Sequence, residues 1–129
     1  MTVVCGFVPT AEGRAAVRAA LDEASRRGED LVVLNTTRGD APVDPRFATQ
    51  EDLDELEAML GESGVPFTLE TRGNGPNPAA DVVALATKHD ASVIVIGLRR
   101  RSPTGKLIFG STAQQILLDA DAPVLAVKA

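Results

Sequence analysis

The sequence predicts an α/β domain built on a five-stranded parallel sheet with helices on both faces. Three observations carry this. Five short, β-branched-rich apolar runs recur along the chain, and segments with helical spacing lie between them. The runs show no regular polar alternation, as expected of strands covered on both faces between two helix layers. No second set of such runs, internal repeat or low-complexity segment interrupts the order, so residues 1–129 are expected to form one domain.

The first strand is read over 2–8, TVVCGFV, and the following helix carries Val17, Ala20, Leu21 and Ala24 on one face. Thr10 is its expected N-cap, and Arg26-Arg27-Gly28 supplies a basic last turn and a glycine stop. The second strand is LVVLNTT, 31–37, followed by a proline-containing loop at 38–48. Thr49 and Asp52 have capping-box spacing ahead of a second helix whose apolar stripe is Leu53, Leu56, Met59 and Leu60, with Gly61 and Gly64 at its end.

The third strand is read over 65–71, VPFTLET, and 72–78 is turn-forming. Asn77-Pro78 reads as an N-cap and first helical residue, with Ala79, Val82, Val83 and Ala86 on the inward face of the third helix. The fourth strand is ASVIVIG, 91–97. A helix over STAQQILLDAD and the closing strand APVLAVKA complete the chain.

Composition narrows the function. The formal net charge is −5 and the sequence pI about 4.8, which argues against broad binding to a nucleic-acid backbone. Aromatic residues make up 3% with no Trp or Tyr, so a base-stacking platform is not available and no nucleic-acid partner is expected. No apolar stretch reaches the roughly 18 residues of a membrane span, and the first residues lack a signal-peptide layout. The single cysteine, Cys5, lies inside a strand and reads as a structural thiol. A cytoplasmic protein is expected, without membrane association.

Positive charge gathers in one place, GLRRRSPTGKLIFGST at 97–112. In an open parallel sheet, ligands bind beyond the carboxyl ends of the strands where strand order reverses. If the first strand is central, the loops at 8–10 and 97–112 flank that point. Gly97 would turn the chain at the strand end, and Gly110 would let a ligand approach the next helix. The amides of Gly110, Ser111 and Thr112 would face an anion along the helix dipole, with Arg99, Arg100, Arg101 and Lys106 opposite. A solvated basic loop ahead of an ordinary helix cap accounts for the same residues. The stretch is not a Walker A loop, because no Lys-Ser/Thr pair follows its glycines.

Other candidates reduce to structure. His89 stands alone near a helix end, where a cation is favoured by the dipole. The acidic residues of EDLDELE lie opposite Leu53, Leu56 and Leu60 and form a solvated face. No catalytic set and no metal site is discernible.

The spacing Gly97-x-x-Arg100-x9-Gly110-Ser111, followed by ILLDADAPVLAV, resembles the universal stress protein family, and the resemblance extends over the whole chain. Nucleotide-binding members of that family carry Gly-x-x-Gly-x9-Gly-Ser/Thr here. The resemblance implies strand order 3-2-1-4-5 in a Rossmann-like fold of the adenine nucleotide alpha hydrolase type. It also implies a non-catalytic stress-response module, with weak ATP hydrolysis left open. ATP or AMP would be the ligand, with Mg accompanying ATP and no other metal.

The implied nucleotide-binding positions are Val8, Pro9, Thr36, Gly97, Arg100, Gly110, Ser111 and Thr112. The implied homodimer uses the last strand, Val124, Leu125, Ala126 and Val127. Two positions depart from the pattern. Arg100 replaces the second glycine, so its side chain either pairs with phosphates or fills their site. Val8 stands where binders carry an acid, so a polar contact is lost there. A nucleotide-free dimeric interaction module is the alternative reading.

Overall fold

The computed structural model describes residues 1–36, 50–72, 77–98 and 110–129. The chain runs β1 (Thr2–Phe7), α1 (Ala11–Arg27), β2 (Asp30–Thr36), α2 (Gln50–Glu62), β3 (Phe67–Arg72), α3 (Pro78–Lys88), β4 (Ala91–Leu98), α4 (Ser111–Asp119) and β5 (Val124–Lys128). All neighbouring strands pair in parallel, in the order β3-β2-β1-β4-β5. The expected fold class and strand order are therefore those observed.

Strand alternation divides the interior into two cores. Val3, Cys5 and Phe7 of β1, Leu31 and Val33 of β2, and Val93 and Val95 of β4 pack with α1 and with Leu56 and Leu60 of α2. Val4, Val32, Leu34, Ile94, Ile96 and Leu98 face the other way, onto α3 and α4. Residues buried on both faces of β1 and β4 explain why those runs show no polar alternation. Helix α1 is the best covered, with Gly13, Ala16, Val17, Ala20 and Ala24 buried.

Local signals behave as their chemistry requires. Thr10 Oγ1 accepts from the Gly13 N–H at 3.1 Å, and Gly28 takes the left-handed conformation at φ 65° that closes α1. Asn77 Oδ1 accepts from the Ala80 N–H at 3.2 Å, with Pro78 opening α3. Glu51, Asp54, Glu55 and Glu57 of α2 are exposed, the solvated face expected.

Some boundaries and faces differ from expectation. β1 ends at Phe7, leaving Val8 in the following turn, and β3 begins at Phe67. Gly61 lies inside α2, and only Gly64, at φ 76°, has a backbone that needs glycine. Leu85 joins Ala79, Val82 and Ala86 on the buried face of α3, while Val83 packs partly buried against the same core. Thr49, the proposed partner of Asp52 in a capping box, lies outside the described residues.

Candidate functional site

Adjacent β1 and β4 send their chains in opposite directions: β1 leads through α1 to β2, and β4 leads through α4 to β5. Their carboxyl ends, at Phe7 and Leu98, therefore bound the switch-point crevice of the sheet. The turn Val8-Pro9-Thr10 lies on one side of it. The half-buried Val8 and Pro9 carry no ionisable group, and the Val8 carbonyl accepts from the Thr10 N–H at 2.8 Å. This turn is tied into the fold by its own backbone.

On the other side stands the amino end of α4. Gly110 is its N-cap, with φ −65° and ψ 159°, and among the described residues no side chain caps the helix. Its carbonyl accepts from the Gln114 N–H at 3.0 Å, so the helical ladder begins here. The first turn contains no acidic residue, Ser111 is exposed, and a Cβ built on Gly110 would meet none of the described residues within 4 Å. Amides uncapped by a side chain, the positive end of a helix dipole and two hydroxyls form a place where an anion is favoured.

Gly97 has a different role from the one expected. It is not a turn at the strand end but lies within β4, paired with Val127 of β5. A Cβ there would come within 2.7 Å of the Glu12 carbonyl carbon, so glycine admits the first turn of α1 against the strand. Gly13 serves the same junction, since its Cβ would lie 2.9 Å from the Val8 carbonyl carbon and closer still to the oxygen. Sequence reading missed Gly13 and Glu12. An AEG triplet opening the helix just past the first strand's turn was the available signal.

Thr36 is the last residue of β2, its backbone paired with Arg72 of β3, and so reaches the same rim one strand beyond β1. Arg100, with Arg99, Arg101 and Lys106, lies outside the described residues. Sequence reading also passed over Asn35, in the run LVVLNTT. It is fully buried, and neither Nδ2 nor Oδ1 has a hydrogen-bond partner among the described residues. A carboxamide inside an apolar run was the signal.

The remaining candidates behave as structural groups. Burial pushes the Cys5 thiol up to about 12, so it is un-ionised and a poor nucleophile at neutral pH. His89 caps the carboxyl end of α3, its N–H donating to the Leu85 carbonyl at 3.0 Å. Among the described residues, no group of three or more His, Cys, Asp or Glu is placed to hold a metal. No described helix is long and apolar enough to cross a membrane.

Comparison with known proteins supports the geometry. The chain is 44% identical over 126 residues to a universal stress protein of Mycolicibacterium smegmatis, covering 98% of this chain and 96% of that protein. A universal stress protein of Archaeoglobus fulgidus superposes with a TM-score of 0.72 at 33% identity, covering 99% of this chain and 98% of the other. A structure of the universal stress protein from that organism in complex with dAMP gives a TM-score of 0.68 at 28% identity, with the same coverage. The profile of the universal stress protein family matches residues 1–128. The chain belongs to the universal stress protein family.

Proposed function

We propose that residues 1–129 form one domain that binds an adenine nucleotide, ATP or AMP, at the switch point and acts as a non-catalytic, cytoplasmic stress-response module. The observation that carries this reading is the amino end of α4 at the carboxyl side of the β1–β4 crevice, without a side-chain cap among the described residues. Phosphates would sit against the amides and hydroxyls of Ser111 and Thr112, with Arg100 as a charged partner and Mg accompanying ATP. Val8, Pro9 and Thr36 would line the nucleoside side of the rim. The Archaeoglobus fulgidus relative in complex with dAMP supports the choice of an adenine nucleotide.

The same module is proposed to act as a homodimer through Val124, Leu125, Ala126 and Val127. β5 is an edge strand, and Leu125 on it remains 37% exposed. An apolar edge of this kind favours a second strand. A nucleotide-free dimeric interaction module is the second reading. It is favoured by Val8, which offers no carboxylate where a ribose or base would be held.

Mass spectrometry of gently purified protein is expected to find carried-over ATP or AMP, and calorimetry to detect added ATP. Ligand-free protein with no heat at millimolar ATP would leave the second reading. Sedimentation is expected to show a dimer at tens of micromolar.

A further inference from the structure

The amino ends of the strands form the pole of the sheet opposite the candidate nucleotide site, and every connection that enters a strand there is among the described residues. A cavity of about 460 Å³ opens at this pole, within the size range of small-molecule sites. Ile94 of β4, Val83 and Ala86 of α3, and Ala120 and Ala122 after α4 give it an apolar wall. Glu29, Asp90 and Asp121 bring carboxylates to it. Asp90 and Asp121 are exposed, whereas Glu29 is half-buried and accepts from the Ser92 hydroxyl at 2.6 Å.

The cations nearby do not answer these acids. Arg27 lines the cavity but donates its Nε to Glu23 Oε2 at 3.0 Å, and Arg26 bridges Asp22 and Glu23. Met1 also lines it, yet no ion pair among the described residues involves Glu29, Asp90 or Asp121. A second source of negative potential is the backbone. Helices α1, α3 and α4 all end at this pole, and Arg27, Thr87 and Ala120 at their carboxyl ends line the cavity. α1 and α3 carry basic residues in their last turns, whereas α4 carries none. The carboxylates are not grouped to hold a metal ion. A bare ion would also leave the apolar wall unused, and a neutral apolar molecule would leave the charge unanswered.

We propose that this cavity is a second binding site, for a small organic amine. Its ammonium group is held by Glu29 in the field of Asp90, Asp121 and the α4 carboxyl end, and its aliphatic body lies against Val83, Ala86 and Ala122. β4 is eight residues long, which separates this site from the nucleotide end by roughly 25 Å. The proposal is independent of nucleotide binding.

The probe is 1-aminohexane, with 1-hexanol as the matched neutral control, each titrated into the isotope-labelled full chain and followed by amide NMR. The amine is expected to bind with a Kd on the order of a millimolar, within reach of about seven non-hydrogen atoms. Its shifts should centre on residues 86–92 and 120–122. The alcohol should bind about five- to tenfold more weakly, because it cannot make a charge-assisted hydrogen bond. Glu29→Gln keeps an acceptor for Ser92, and should weaken the amine by about the same factor while leaving the alcohol unchanged. Glu57→Gln, on the exposed face of α2, should change neither.

Equal affinity for amine and alcohol overturns the proposal, as does no shift at roughly ten millimolar amine. Shifts centred on α2 overturn it too, because surface charge alone then holds the amine. A Glu29→Gln protein that binds the amine as wild type does has the same consequence. Should that variant fail to fold, Asp121→Asn replaces it at an exposed position, with an expected loss of about twofold. An unchanged amine affinity in Asp121→Asn would then overturn the proposal.

Discussion

Helices α1 and α4 begin on either side of one crevice. At α1, Thr10 accepts the Gly13 amide, Glu12 places a carboxylate in the first turn, and Gly13 packs against the Val8 carbonyl. At α4, Gly110 has no capping side chain, the first turn carries no acid, and a Cβ on Gly110 would meet no described residue within 4 Å. The first terminus spends its donors and its dipole on the fold. The second leaves them available, and a helix end of that kind attracts an anion. Of two apparently equivalent loops at a switch point, one is structural and the other is the candidate binding end.

The largest expected effect comes from breaking the closed side. Gly13→Ala forces a methyl group into the Val8 carbonyl, and should cost about 3 kcal/mol, the upper end of overpacking penalties. Chemical denaturation measures it, and an unchanged midpoint would show that the junction yields easily. On the open side, Arg100→Ala should weaken ATP binding by about 1.5–3 kcal/mol if the guanidinium pairs with a phosphate. Tighter binding by Arg100→Gly would instead show that Arg100 fills the phosphate site. Calorimetry on the three proteins separates the cases, and identical isotherms would remove Arg100 from the site.

Thr10→Ala sharpens the contrast between stability and binding. Loss of the cap should destabilise the fold by about 1 kcal/mol while leaving nucleotide affinity unchanged. A parallel loss of affinity would mean that the α1 terminus also contacts the ligand. The smallest effect is expected from Ser111→Ala, which removes one neutral donor and should weaken ATP binding by about 0.5–1.5 kcal/mol. Its effect on thermal stability should be negligible, because the helix has no side-chain cap at this position to lose.

Legibility followed the range of the forces involved. Thr10 and Asn77 were readable because a cap bonds an amide three residues away, within a single turn. Leu85 was missed because helical spacing leaves the rotation of a helix open by one position, and contact with the sheet selects it. The purpose of Gly97 was misread because the atoms it accommodates belong to Glu12, remote in sequence. Asn35 passed unnoticed because β-strand spacing does not say whether a buried amide will find a partner.

The sequence by itself determined the layers and the direction of the chain. Apolar runs without alternation, such as 91–97, can be buried only between two helix faces, and intervening helices make the strands parallel. It also located a basic, glycine-containing stretch ahead of Ser111 and Thr112. Only the tertiary structure decided which helix end is closed and which is open, since that depends on the space around Gly13 and Gly110 rather than on either residue. It alone set on the same rim a buried carboxamide with no partner among the described residues, because burial and pairing belong to the assembled fold.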